Sequence, residues 1–360
     1  MQKLLIILFI TFFSLTATAQ EPSDQELVSF ESTYVSGKVI DIVEDENGFK
    51  TYKTQLKDLS IVDIDTYGDE VPLHARIYME YFPNQGNYNF VTVNRNNSLI
   101  LLFLLFVGSI IVLAKKKGLR SLGSLFLSML LLFFGLVPML LSGANPIMVT
   151  LIFGLGVLFL SIFVTHGFNY QSLVSFIGSF TSILLALLLI LIVTKFSSLT
   201  GLINDEIQFL SFESEKILDL VRIISASIII GILGVLDDIT ITQVAVVREL
   251  SSDTTLTKRD IFTKALRVGR DHISSLVNTL VFAYVGATLP MIMFISLLEI
   301  PFFVLLSQEF IFIEIIRSLI GAIALTLAVP VTTWLATHIF LKAIHKDSCT
   351  LESACAHHNH

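Results

Sequence analysis

A polytopic α-helical membrane protein, with a small extracytoplasmic all-β domain ahead of its helices, is the fold class this sequence predicts. Hydrophobic residues make up 54% of the 360 and charged ones 15%, with a mean hydropathy of +0.79. That balance excludes an ordinary soluble globular protein. From Ser98 onward, seven apolar runs are each long enough for a helix that crosses about 30 Å of hydrocarbon. Before them, residues 20–97 are rich in acids and alternate strand-like stretches with turn signals.

The chain opens with MQKLLIILFITFFSLTATAQ, in which Lys3, an apolar run and Ala17-Thr18-Ala19 form the pattern of a signal peptide over residues 1–19, cleaved after Ala19. An exported β-rich domain over residues 20–97 follows. Its stretches YVSGKVIDIVE, FKTYKTQLKDLSIV, VPLHARIYMEYF and YNFVTVN are separated by DENG and PNQG, as in antiparallel strands of a small barrel or sandwich. This segment has no cysteine, so no disulfide staples it. Its acidic surface is expected to be solvated or to meet an envelope partner.

The helical transmembrane domain is expected over residues 98–345. Its runs are 98–114, 121–141, 147–165, 172–195, 217–241, 272–298 and 312–341. Three basic clusters set the topology. Lys115, Lys116, Lys117 and Arg120 follow the first run. Arg248, Lys258, Arg259, Lys264, Arg267 and Arg270 follow the fifth, and Lys342 and Lys346 follow the seventh. The positive-inside rule makes all three cytoplasmic. An odd number of spans then joins an exported N-terminal domain to a cytoplasmic C-terminus. Residues 346–360 read as a disordered cytoplasmic tail. Its Cys349 and Cys355 lack the paired CxxC spacing of a zinc site, so neither metal nor cofactor is expected. The partners implied are the lipid bilayer and a small solute or ion; nothing points to nucleic acid.

GVLDDITITQ, residues 234–243, places Asp237 and Asp238 inside the fifth run. Two registers are open. A helix starting near Ile217 would end at the pair and put it at the cytoplasmic boundary. A helix running from Arg222 toward Arg248 would put it at depth, where a carboxylate costs roughly 2.5–3.5 kcal/mol unless paired or protonated. Gly231 and Gly234 before the pair, and Thr240 and Thr242 after it, suit either a broken helix or a close helix approach.

Next, Thr257-Lys258-Arg259-Asp260 is a capping-box pattern. Ile261, Ala265, Leu266 and Val268 then predict a basic amphipathic helix at the inner surface. It leads into GRDHISSLVNTLVFAYVGATLP, where Asp271, Asn278 and Thr279 share one helical face. Arg270 or Arg267 is a candidate partner for Asp237 or Asp238, and Asp271 is alternatively a helix N-terminal charge. His166-Gly167 reads as a turn, and Glu299, Glu309, Glu314 and Arg317 as solvated or interfacial around an outer loop. Pro138 and Pro330 each interrupt a span.

GILGVLDDITITQVAVVREL, LRVGRDHISSLVNTLVFAYVGATLP, LSGANPIMVTLIFG and GAIALTLAVPVT together resemble the YibE/F family of multipass bacterial membrane proteins. The resemblance implies functional or structural weight for Gly231, Gly234 and Asp237. In the sixth span it implies the same for Gly269, Arg270, Asp271, Asn278, Thr279, Ala283, Tyr284 and Gly286. This chain departs from the family pattern at Asp238 and Thr240, which makes Asp237 the stronger candidate. The resemblance implies a permease-like protein of the bacterial cytoplasmic membrane.

Two function classes follow from the sequence. One is a transporter or permease with Asp237, Asp238, Arg270, Asp271, Asn278 and Thr279 lining a polar site between the fifth and sixth spans. The other is a non-catalytic envelope protein whose exported domain binds a partner while the same residues lock helices together. An enzyme is not expected, because Walker, HExxH and GxSxG elements are missing. A dyad of Asp237 and Asp271 is the one arrangement that would reverse that expectation.

Overall fold

In the computed structural model the described residues are 33–356, without 45–49, 67–68, 84–85, 204, 214–217, 254 and 298–299. The expected signal peptide and Glu299 lie outside them. The chain divides into two compact units, Met1–Leu113 and Ala114–His360.

In the first unit, strands β1 (Thr33–Glu44), β2 (Lys50–Leu56), β3 (Ile61–Asp65), β4 (Arg76–Phe82) and β5 (Asn87–Val93) form one sheet in the order β3-β2-β1-β4-β5. All neighbours are antiparallel. Strand β2 buries alternate side chains, Tyr52, Thr54 and Leu56, as a period of two requires. Tyr52 and Leu56 join Val39, Ile64, Val71, Ile77 and Met79 in a small core. The Tyr52 hydroxyl donates to the Asp69 carbonyl (3.3 Å) and accepts from the Val71 amide (3.2 Å), which satisfies its buried tip. Gly37 lies so close to the neighbouring strands that a Cβ would come within 2.8 Å of Met79 Cε. The expected small β domain is this curled sheet.

Helix α1 (Asn96–Leu131) absorbs the first two apolar runs and is interrupted at Lys115, where φ is 49° and ψ is −129°. It continues through a π-helical turn, Leu132–Leu136, into α2 (Val137–Leu141). Pro138 has no N–H to offer the preceding turn, and the widened π turn accommodates that loss. Helix α3 (Pro146–Phe159) starts at Asn145, whose side chain accepts from the amides of Ile147 (3.2 Å) and Met148 (3.4 Å), and ends in a second π turn, Leu160–Val164. Gly167, at φ +82°, and the cap Asn169 turn the chain into α4 (Tyr170–Phe196). Then come α5 (Asp205–Glu213), α6 (Leu220–Ser251), α7 (Lys258–Ala287), α8 (Leu289–Ser296), α9 (Phe302–Leu306) and α10 (Glu309–Ala356).

Five of these segments are long and apolar enough to cross a membrane, or six if α7 and α8, bent by 61°, form one span. Seven were expected. The difference lies at the first segment, Asn96–Leu141, whose 46 residues count once. At about 1.5 Å per residue it would reach roughly 70 Å, about twice the hydrocarbon thickness, if it were straight.

Helix α6 is the centre of the bundle and packs against α3, α4, α7 and α10. Ile228, Ile229, Ile232, Leu233, Leu236 and Ile239 are all buried, as expected of a helix that is apolar on every side. It runs unbroken through Asp237, so the residue marks neither a helix end nor a break. Thr240, Gln243, Val244 and Val247 beyond it are buried against neighbours, which carries the helix on past the acids.

Helix α7 is likewise continuous, where the sequence suggests a surface helix followed by a separate span. Its capping box forms as expected: the Asp260 amide donates to Thr257 Oγ1 (3.2 Å) and the Thr257 amide to Asp260 Oδ2 (3.1 Å). Ile261 and Ala265 are buried, but Val268 is exposed. Asp271 lies well inside this helix and is not an N-terminal charge. The last helix continues to Ala356, past the start of the tail expected at 346.

Candidate functional site

Asp237 is half-buried on α6, and its carboxylate accepts a hydrogen bond from Ser161 Oγ. Ser161 sits in the π turn that closes α3. A π turn spaces its residues differently from an α turn, which re-aims side chains, and such turns recur at functional sites. Phe163, on the same turn, packs against Phe159 (4.9 Å between ring centroids) and Phe168 (4.8 Å), which walls the region with apolar surface. Asp238, one residue on, is exposed. His166 at the following turn lies within electrostatic reach of Asp237, Asp238 and Lys117. Partial burial holds its imidazole below the usual histidine range, and the two aspartates act in the opposite sense.

A polar seam continues from Asp237 through the bundle. Thr240 Oγ1 shares a 2.7 Å hydrogen bond with Ser179 Oγ, and Ser175 Oγ reaches the Thr240 carbonyl at 3.5 Å. Gln243, 3% exposed, donates from Nε2 to the Ala265 carbonyl (2.9 Å) and to Thr333 Oγ1 (2.7 Å), tying α6 to α7 and α10. Arg248 donates to Gln171 Oε1 (2.9 Å), whose Nε2 in turn reaches the Ile241 carbonyl (3.4 Å). Thr332 is fully buried, and its hydroxyl has no hydrogen-bond partner among the described residues. Sequence reasoning missed this seam. Its signal was present in Ser172, Ser175, Ser179 and Ser182, which line one face of an otherwise apolar helix and are all fully buried.

The expected partners on α7 do not come to Asp237. Arg270, Asp271, Asn278 and Thr279 are exposed, and the Thr279 hydroxyl donates only to the Ser275 carbonyl of its own helix (3.0 Å). Among the described residues there is neither an Arg270–Asp237 pair nor an Asp237–Asp271 dyad. Rotation of α7 explains this: it turns Gly269 and Leu280 inward and the polar stripe outward. Gly269 is a true close approach, since a Cβ there would lie 2.8 Å from Gln243 Oε1. At Gly231 a Cβ would lie 3.0 Å from the Tyr284 hydroxyl, whereas Gly234 and Gly286 face open space.

At the other end of the bundle, the residues read from sequence as loop charges belong to α10. Glu314 and Arg317 form a half-buried pair (2.8 Å), and Arg317 also reaches Ser227 Oγ on α6 (3.4 Å). Glu309 accepts from the amides of Thr200 (2.9 Å) and Gly201 (2.6 Å) and from Thr200 Oγ1 (2.7 Å). A cavity of about 580 Å³ lies among α7, α8 and α10, mostly apolar but bordered by Tyr284, Thr288 and Glu314.

Long apolar helices around an interior seam of hydroxyl, amide and carboxylate groups fit the class of multi-helix membrane proteins. Within that class the chain belongs to the YibE/F-like protein family, whose model matches residues 102–342. No curated protein and no solved structure matches it.

Proposed function

We propose that the protein is a permease of the bacterial cytoplasmic membrane that moves a small solute or ion along a polar path past Asp237. The observation that carries this reading is the Asp237 carboxylate, inside an unbroken apolar helix and held by Ser161 of a π turn. Acids within membrane helices are costly and mark ion or substrate pathways. The path lies along the packed contact of α3, α4 and α6 rather than the α6–α7 contact, with Ser161, Ser175, Ser179 and Thr240 as its polar groups. Arg270, Asp271, Asn278 and Thr279 are left outside it.

The topology that goes with this reading has seven crossings. In this reading the non-helical residue Lys115, beside Lys116, Lys117 and Arg120, marks the inner surface and divides the first segment into two spans. The β unit is then extracytoplasmic, after removal of residues 1–19, and the C-terminus cytoplasmic. No chemical step on a substrate is assigned, and no cofactor.

Purified protein in proteoliposomes, assayed for proton and monovalent-cation flux with entrapped dyes, tests the reading. Asp237→Asn should accumulate normally in membranes and lose flux, and Ser161→Ala should reduce it. Wild-type flux in Asp237→Asn would refute the assignment. Failure of both variants to accumulate would favour the competing reading, in which these groups only lock helices together.

A further inference from the structure

Helices α7 and α10 are held together at one end by a buried apolar cluster, to which α7 contributes Ile261 and Ala265 and α10 contributes Ala336. Beside that cluster lies a cavity of about 310 Å³. Its walls come from these two helices alone: Lys258, Arg259 and Phe262 from α7, and Trp334, Thr337 and His338 from α10. All six belong to the second unit. The volume is at the low end of the roughly 300–1,000 Å³ of ligand pockets, which suits a headgroup rather than a whole lipid.

The walls divide by chemistry. Lys258 and Arg259 put two cations in the first turn of α7, and neither has an ion pair among the described residues. The helix dipole is positive at this end and disfavours both, so an anion in the cavity is attracted by the side chains and by the dipole together. Asp260, the acid of the same turn, is committed to the cap, where its carboxylate accepts from the Thr257 amide (3.1 Å) and hydroxyl (2.5 Å). Phe262 and Trp334 supply aromatic surface, and the Thr337 hydroxyl turns back to the Thr333 carbonyl (2.7 Å). His338 Nδ1 lies 2.9 Å from the Trp334 carbonyl, which can only accept. That nitrogen therefore carries the hydrogen, and Nε2 is left to accept from a hydroxyl.

From these observations we infer that the cavity binds the headgroup of an anionic phospholipid. The phosphate sits at Lys258 and Arg259, a headgroup hydroxyl donates to His338 Nε2, and the start of an acyl chain lies against Phe262 and Trp334. A soluble phosphate would match the two cations but leave both aromatic walls without an apolar partner, which favours the lipid. Basic pockets between membrane helices take such headgroups, and tryptophan beside charge at the end of an apolar helix sits at headgroup level. The site stands whether or not Asp237 lines a transport path.

Trp334 is the single tryptophan of the chain, so its fluorescence reads this site alone. The test titrates the purified full chain in mixed micelles with phosphatidylglycerol brominated high on its acyl chains, and separately with phosphatidylcholine brominated in the same way. Phosphatidylglycerol should half-quench Trp334 at a roughly thirtyfold lower mole fraction, about fivefold for each cation. Lys258→Gln with Arg259→Gln should abolish that preference, whereas Lys258→Arg with Arg259→Lys should retain it. Lys264→Gln with Arg267→Gln removes the same charge from α7 outside the cavity and should leave the preference nearly unchanged. Equal quenching by the two lipids, equal losses from the two glutamine pairs, or loss of preference in the charge-preserving exchange would each overturn the inference. Relief of the quenching by millimolar inorganic phosphate would overturn the lipid assignment and make this a site for soluble phosphate.

Discussion

Replacing Gly178 with alanine probes a close contact between α4 and α10 beside the buried polar seam. A Cβ at this position would lie 2.6 Å from Thr332 Oγ1, 3.2 Å from its Cγ2 and 3.3 Å from its Cβ. Thr332 is fully buried and β-branched, so it has little freedom to swing away. Overpacking of this kind costs about 1–3 kcal/mol. Alanine also gains about 1 kcal/mol over glycine inside a helix, so the net effect of Gly178→Ala should be a loss of about 0–2 kcal/mol. The decisive quantity is the coupling with Thr332→Ala. That substitution removes Oγ1 and Cγ2, and the hydroxyl it removes has no partner to strand. It should be nearly neutral alone, and the double variant should regain the overpacking cost, giving a coupling of about 1–3 kcal/mol. Unfolding of the purified protein in mixed micelles, as a denaturing detergent is titrated, reads this directly. A 2 kcal/mol coupling is roughly a thirtyfold change in the folded-to-unfolded ratio. Additive effects within about 0.5 kcal/mol would show that α4 and α10 do not approach as described.

Gln243→Leu keeps the volume but loses both interhelical donations, and the same titration should register a loss of about 0.6–1.7 kcal/mol; a stabilised variant would show that the amide does not bridge the three helices. Glu309→Ala strands the Thr200 and Gly201 amides, so hydrogen exchange at these two sites should accelerate at least tenfold, while Glu309→Gln should retain part of the protection. Partial burial keeps His166 neutral below its unfolded-state value. The folded state therefore binds this proton less readily than the unfolded chain, and stability should decline as pH falls through about 6.5. In a ring-resonance titration Asp237→Asn should depress the His166 value further, by removing a negative charge that favours the imidazolium, and an unmoved value would mean that the two groups do not face each other.

Local elements were the most legible part of the molecule. YVSGKVIDIVE becomes β1, the DENG cluster separates it from β2, and Thr257-Lys258-Arg259-Asp260 forms its capping box. Each depends on neighbours in the chain, such as alternating burial or a side chain that reaches an amide three residues away. The boundaries of α6 and α7 were less legible, because each runs past its expected limit into residues that tertiary contacts bury. In α6, Thr240 and Gln243 look like polar punctuation in sequence, yet they are interior groups satisfied by Ser179, Thr333 and the Ala265 carbonyl. Asp237, the acid the sequence singles out on α6, meets Ser161 of the π turn after α3, whereas its partner was sought on α7.

Hydropathy and residue alternation, read along one dimension, were enough to find a unit of long apolar helices preceded by a small sheet, because run length and period decide both. They also marked which polar side chains are expensive to bury. Which of them meet was decided only by the rotation and depth of each helix. A turn of about 100° per residue separates Asp237 from Asp238, and the same geometry aims Gly269 inward and Arg270 outward. Those angles follow from how α6 and α7 pack against α3, α4 and α10, and from the π turn that brings Ser161 to Asp237, none of which is written locally in GVLDDITITQ.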